Sequence, residues 1–279
     1  MRISRYISCL IPIVALAVCL AACETVSDPG DVPYRERLVV RGELQVGEKL
    51  WDVQISRTLP LTETYTKEKA AVTDATVTVE ENGTPYALHY DQTGHYSAPE
   101  LIIKSGAVYK LSIDWHGKHV TATTTAPYPV PIASVELKEL AYKYDSTYKY
   151  FAPNVVFHPV GNQVYGLSFD YTSLNSFSQS FSLDDYSRIM RRSDTSADGT
   201  IALLYGSSGM GVVSAGDIVT VHLLSFDTPF YDYYTTDNPY GSGDDIFFSA
   251  GDNTRWNVQG DAVGIFIARQ VTDTTFNVR

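Results

Sequence analysis

Cysteine is nearly absent from this chain. The 279 residues hold three, Cys9, Cys19 and Cys23, and none follows residue 23. The rest of the sequence therefore has no thiol for a disulfide or a cysteine nucleophile. Basic residues are scarce too: 21 Lys and Arg stand against 32 Asp and Glu, a formal net charge of -11. No cationic excess exists to neutralise phosphates, which argues against a nucleic-acid partner. No apolar run reaches the roughly 20 residues of a membrane-spanning helix. The sequence also lacks a G-x-S-x-G elbow and an H-E-x-x-H pair. Its Gly-rich stretch at 206–211 (G-S-S-G-M-G) is not followed by the Lys-Ser/Thr of a phosphate loop and reads as a flexible turn. With no catalytic constellation in view, neither an enzyme nor a cofactor is expected. What is present is a hydrophobic fraction of 44%, enough for a folded core.

The first residues carry Arg2 and Arg5, an apolar run at 7–20 broken by Ser8 and Pro12, and then Leu20-Ala21-Ala22-Cys23. A short positive region, an apolar stretch and small residues before a cleavage point make a secretory signal peptide, assigned to 1–22. The L-A-A-C ending resembles the bacterial lipobox, in which the cysteine sulfur receives a diacylglycerol bearing acyl chains such as palmitate. On that reading Cys9 and Cys19 are discarded and Cys23 is the lipid anchor. Removing 22 of 279 residues leaves 257, and losing Arg2 and Arg5 takes the formal charge from -11 to -13. Residues 23–36 are polar, acidic and interrupted by Pro29, Gly30 and Pro33, the composition of a flexible tether.

From residue 37 the chain reads as short strands separated by turn chemistry. Trp51-Asp52-Val53-Gln54-Ile55 alternates apolar and polar, and so does 75–80 (A-T-V-T-V-E). Asn82-Gly83 is a strong hairpin signal, and His116-Gly117-Lys118 turns a second hairpin between 108–115 and 119–124. Pro127, Pro129 and Pro131 then remove ladder donors and mark a boundary. Residues 37–126 are expected to form an immunoglobulin-like or transthyretin-like β-sandwich. Residues 132–279 are expected to form a second β-rich domain with one or two short helices. Its strands are placed at 132–140, 154–157, 163–173, 201–205, 218–225 and 262–268, with Gly264-Ile265-Phe266-Ile267 closing the second core. Helices are expected at 183–192, which has an acidic start and basic end, and at 227–235, with Asp227 as the cap and Pro229 in the first turn.

The order of L-V-V-R-G-E-L, V-T-D-A-T-V-T-V-E-E-N-G, A-G-D-I-V-T-V-H-L-L-S-F, Y-D-Y-Y and W-N-V-Q-G-D-A-V-G-I-F resembles the domain-of-unknown-function 4249 lipoproteins of Bacteroidota. The sequence departs from the family at Asp261-Ala262-Val263, a stretch the family keeps shorter, and in a tail that runs past Ala268 to Arg279. The resemblance implies an outer-membrane lipoprotein, held in the membrane through the lipid on Cys23 and associated with a TonB-dependent receptor or its ligand. It supplies no catalytic residues. Surface glycan binding or processing is the alternative, and a structural adhesion module is a third.

Other candidate sites are weaker. His116 and His119 could form a metal pair, but they sit at a hairpin tip and lack further ligands. Asp194-Thr195-Ser196-Ala197-Asp198-Gly199 opens like a calcium loop, but Tyr205 stands where the twelfth-position glutamate belongs. The acidic loop with Asp237, Asp244 and Asp245 is a similar cation candidate. Tyrosines cluster at Tyr142, Tyr144, Tyr148 and Tyr150 and again at Tyr231, Tyr233, Tyr234 and Tyr240. The flat apolar face and hydroxyl of tyrosine suit an interface, and the later cluster is taken as the candidate contact surface.

Overall fold

A computed structural model describes residues 33–91, 95–142, 145–174, 177–181, 190–205, 209–237 and 255–279. The chain divides into two compact units. The described part of the smaller one, 33–36 and 59–66, holds a turn closed by the Glu63 amide on the Pro60 carbonyl. The larger, Arg37–Thr58 with Lys67–Arg279, holds every strand described below.

That unit is mainly β. Its first strands are β1 (Leu38–Gln45), β2 (Lys49–Arg57), β3 (Thr76–Glu81), β4 (Thr84–Tyr90), β5 (His95–Ile102), β6 (Val108–Trp115) and β7 (Lys118–Thr125), with a one-turn helix α1 (Lys67–Ala70) after β2. The hydrogen-bonded order β1-β2-β5-β4-β3-β6-β7 doubles back at β4, which pairs β3 along most of its length and β5 through its last two residues. The inward faces of both halves bury one apolar cluster, including Val40, Val53, Val79, Leu111 and Val120. The mainly β layout agrees with the expected sandwich, but its core reaches beyond residue 126, because Val258, Phe266 and Ala268 join the same cluster. Both foreseen hairpins are present. Asn82 and Gly83 have φ of 47° and 93°, and His116 and Gly117 have 46° and 77°. Such left-handed pairs match the right-handed twist of the strands they join.

The alternation of β2 breaks at one place. A regular strand would turn Trp51 inward with Val53 and Ile55. Instead Leu50 pairs with Ala98 and Val53 with Tyr96, so three steps on β2 oppose two on β5. This β-bulge leaves both Trp51 and Asp52 exposed while Leu50 and Val53 stay buried.

The second half contributes β8 (Ile132–Tyr142), β9 (Asp145–Phe157), β10 (Val164–Thr172), β11 (Ser178–Phe181), β12 (Met190–Arg191), β13 (Ile201–Leu204), β14 (Ile218–Phe226), helix α2 (Thr228–Asp237), β15 (Val258–Gly260) and β16 (Ala262–Asn277). A sheet β13-β9-β8 and the run β11-β10-β14 bury a second cluster that includes Phe157, Tyr165, Phe169, Leu203, Val221 and Leu223. Helix α2 falls where Asp227 and Pro229 placed it. The helix expected at 183–192 does not extend through its described end: Met190–Arg191 pairs with β10, and Arg192–Asp194 is a 3-10 turn. Residues 182–189 lie outside the described residues.

Strand β16 corrects a second expectation. Its first half pairs in parallel with β1, from Leu38↔Ala262 to Gln45↔Arg269, and its second half pairs antiparallel with β14. Phe266 and Ala268 therefore enter the first core, not the second. The tail beyond Ala268 is strand out to Asn277. Gly264 makes this possible. At its φ of 128°, an added Cβ would lie 1.9 Å from the Val40 carbonyl oxygen.

The proline segment is tied down at its start. The buried Gln163 side chain accepts from the Tyr128 amide at 2.7 Å and donates to the Tyr128 carbonyl at 3.2 Å, imitating a strand partner. Asp227, buried before α2, accepts from the Thr124 hydroxyl on β7 at 2.5 Å.

Candidate functional site

The expected site residues fall in separate places. Cys23 and Tyr240 lie outside the described residues, and of Tyr234 only the helical backbone is described. Tyr231 packs half-buried against the cluster of Val164, Leu224 and Phe226, and the Tyr233 ring lies 5.7 Å from Trp256. His116 faces Asp74 at 3.2 Å and stacks on Trp115, whereas His119 faces Asp114 at 2.8 Å, so each imidazole is engaged with its own carboxylate. Asp198 is satisfied within its loop by Ser196 and by the amide and hydroxyl of Thr200. Those bonds, Ser196 first, hold its carboxyl down at about 2. Asp244 and Asp245 lie outside the described residues. Among the described residues, no group of three His, Cys, Asp or Glu side chains is placed to hold a metal ion.

A concave site does form at the far end of β10. A cleft of about 380 Å³ is lined by Tyr171, Phe177, Gln179, Met210, Val212 and Ser214, with Ser173 and Gly211 completing it. That volume lies within the range of ligand pockets. Two segments distant in sequence build it. β10 supplies Tyr171, the approach to β11 supplies Phe177, and the chain before β14 supplies 210–214. The described end of the Gly-rich stretch is not free. Met210 and Phe151 exchange both backbone hydrogen bonds, at 2.8 and 2.9 Å, and a Cβ on Gly209 would meet the Phe151 carbonyl at 2.2 Å.

Asp217 fixes the floor. It is fully buried and accepts from the Tyr171 hydroxyl at 2.5 Å, the Ser214 amide at 2.7 Å and the Leu174 amide at 3.0 Å. These donors, Tyr171 foremost, hold its carboxyl below the usual aspartate range. Gly216 turns the chain into β14 at a φ of 94°. One carboxylate thus ties β10, the turn after it and the strand entry together, as its place after Gly216 allows.

The rim is apolar and open. Val212 is 76% exposed and Leu174 66%, and Phe177, Tyr148 and Tyr142 are exposed as well. The surface is continuous in part through direct contacts. The Tyr142 and Tyr148 rings meet edge to face at 6.2 Å, the Tyr148 hydroxyl lies over Gly211, and Phe177 packs edge-on against Tyr171 at 5.5 Å. Among the described residues, no ionisable side chain other than Tyr171 lines the cleft, and the Tyr171 hydroxyl is already engaged. Such a surface is suited to excluding water around an uncharged apolar group. Sequence reasoning reached Tyr142 and Tyr148 through their clustering. It missed Phe177, Val212 and Met210, which carry no local signal.

A second polar arrangement crosses three strands nearby. His222 on β14 sits between Asp170 on β10, 3.0 Å from Nε2, and Asp273 on β16, 2.8 Å from Nδ1. Only the doubly protonated ring can donate to both carboxylates. Burial opposes that charge, but the two carboxylates outweigh it and raise the imidazole above its ordinary value.

The sequence profile of a family described as Domain of unknown function (DUF4249) matches residues 27–275. No curated protein matches the chain.

Proposed function

We propose, from the premise that the chain belongs to the DUF4249 family, that it is a lipid-anchored accessory protein of the outer membrane, which binds a partner rather than catalysing a reaction. The signal peptide 1–22 is removed, Cys23 carries the lipid, and 24–36 spaces the folded body from the bilayer. The partner is a TonB-dependent receptor or the ligand it imports. The observation that carries the binding role is the open apolar rim around the cleft, with Val212 and Leu174 largely exposed over a floor already fixed by Asp217. Contiguous exposed apolar surface is costly in solution and marks interaction sites. The lipobox and the chain's resemblance to Bacteroidota lipoproteins of this family support the location.

Affinity purification of the tagged full chain from solubilised membranes, with its anchor intact, is expected to recover an outer-membrane receptor. The Cys23→Ala chain is expected to leave the membrane fraction and to recover less of it. Repeated purifications of the wild-type chain that contain no outer-membrane receptor would overturn the reading.

A further inference from the structure

The bulge in β2 gathers a second set of exposed side chains on the first sandwich. Trp51 is 53% exposed, an unusual state for so large an apolar ring, and the core does not need it because Leu50 and Val53 fill the buried positions on either side. Asp52, the other bulged residue, lies beside it in the chain and is bonded to His95 Nδ1 on β5 at 2.6 Å. The Gln54 side-chain amide reaches the same ring nitrogen at 3.4 Å. Lys49 Nζ lies 5.6 Å from the Trp51 ring centroid, near the outer limit of a cation–π contact. The bulge therefore presents a broad aromatic face together with an acceptor, an amide, an imidazole and an ammonium.

This chemistry fits one kind of ligand better than others. A pyranose has a face of axial C–H bonds that packs on an aromatic ring, and a rim of hydroxyls that both donate and accept. Asp52 can accept from adjacent hydroxyls, and Gln54 and Lys49 can donate to hydroxyl or ring oxygens. A purely apolar partner would leave the Asp52 carboxylate and the Lys49 ammonium desolvated without compensation. A bulge also re-aims side chains, and bulges recur beside functional sites.

We propose that Lys49, Trp51, Asp52, Gln54 and His95 form a surface site for a pyranose unit of a neutral glycan. The site is separate from the apolar cleft, so it stands or falls independently of receptor binding.

The test is affinity gel electrophoresis of the full chain in detergent through gels containing amylopectin, xylan, a mixed-linkage β-glucan, mannan or galactan. At least one polymer is expected to retard the wild-type chain. Trp51→Ala is expected to weaken that binding at least tenfold, Asp52→Ala to weaken it severalfold, and Trp51→Phe to retain most of it. Val212→Asp is expected to bind sugar as the wild type does. Thermal melts of each variant separate lost binding from lost folding, and the exposed position of Trp51 predicts unchanged melting for Trp51→Phe. Failure of all five polymers to retard the wild type would overturn the proposal, and so would full retention by a folded Trp51→Ala chain.

Discussion

Gly264→Ala is expected to prevent stable closure of the sheet between β1 and β16. The new methyl carbon would sit 1.9 Å from the Val40 carbonyl oxygen and 2.8 and 2.9 Å from that residue's carbonyl carbon and amide nitrogen. All three obstacles are backbone atoms within a paired strand, so no side-chain rotation relieves them. The positive φ of 128° adds its own strain for any residue with a Cβ. A loss of roughly 4 kcal/mol or more is expected, at the extreme of single substitutions. For a unit of this size that lowers the melting temperature by about 10 °C or more. Gly47→Ala separates the two causes, because Gly47 also has a positive φ, 87°, but has open space around its α-carbon. It is expected to cost about 1 kcal/mol. Equal melting temperatures for the two variants would show that the Val40 approach is not what constrains the strand.

Asp227→Asn is expected to stabilise the protein above neutral pH. Burial before α2 pushes this carboxyl from 3.8 up to about 7, only partly offset by the hydrogen bond from Thr124. Among the described residues its Oδ1 has no hydrogen-bond partner, and the neighbouring Ser225 hydroxyl is likewise buried without one. Because the folded-state value lies above the unfolded one, the folded protein holds the proton more tightly. Its stabilising contribution is complete below about pH 4 and is lost as the pH rises through about 7. Ionising the buried carboxyl fully costs roughly 4 kcal/mol at pH 8. Asparagine keeps an acceptor for Thr124 and remains a good helix cap, but cannot ionise. Denaturant unfolding from pH 5 to pH 8 is expected to show the wild type losing stability and Asp227→Asn holding level through that window, apart from the smaller loss that the imidazole of His222 contributes. A variant that loses as much as the wild type would show that Asp227 is not the group responsible.

Local chemistry was legible in the sequence, and assembly across distance was not. Asn82-Gly83 and His116-Gly117 specify their turns within two residues, so both hairpins could be read directly. Asp227 and Pro229 specify the start of α2 in the same way. β16 is different. Arg269, Gln270 and Asp273 interrupt its apolar pattern, and its parallel partner β1 lies more than 200 residues earlier, so neither its length nor its place in the first core had a local signature. The Trp51 bulge was hidden for the opposite reason. The local pattern favoured a regular strand, and only the pairing with β5 inserts the extra residue. The cleft joins 171–179 to 210–214, and the exposure of Phe177 and Val212 follows from how those segments pack.

The apolar rim of the cleft is proposed as the place where a membrane partner docks. Photo-crosslinking in intact membranes tests it most directly. A benzophenone side chain is placed at Val212 or at Phe177, with exposed Glu100 on β5 as the comparison site. A covalent adduct with one outer-membrane receptor is expected from Val212 and Phe177, weakened by a Leu174→Asp substitution, and none from Glu100. No adduct from either rim position, or the same adduct from Glu100, would contradict it.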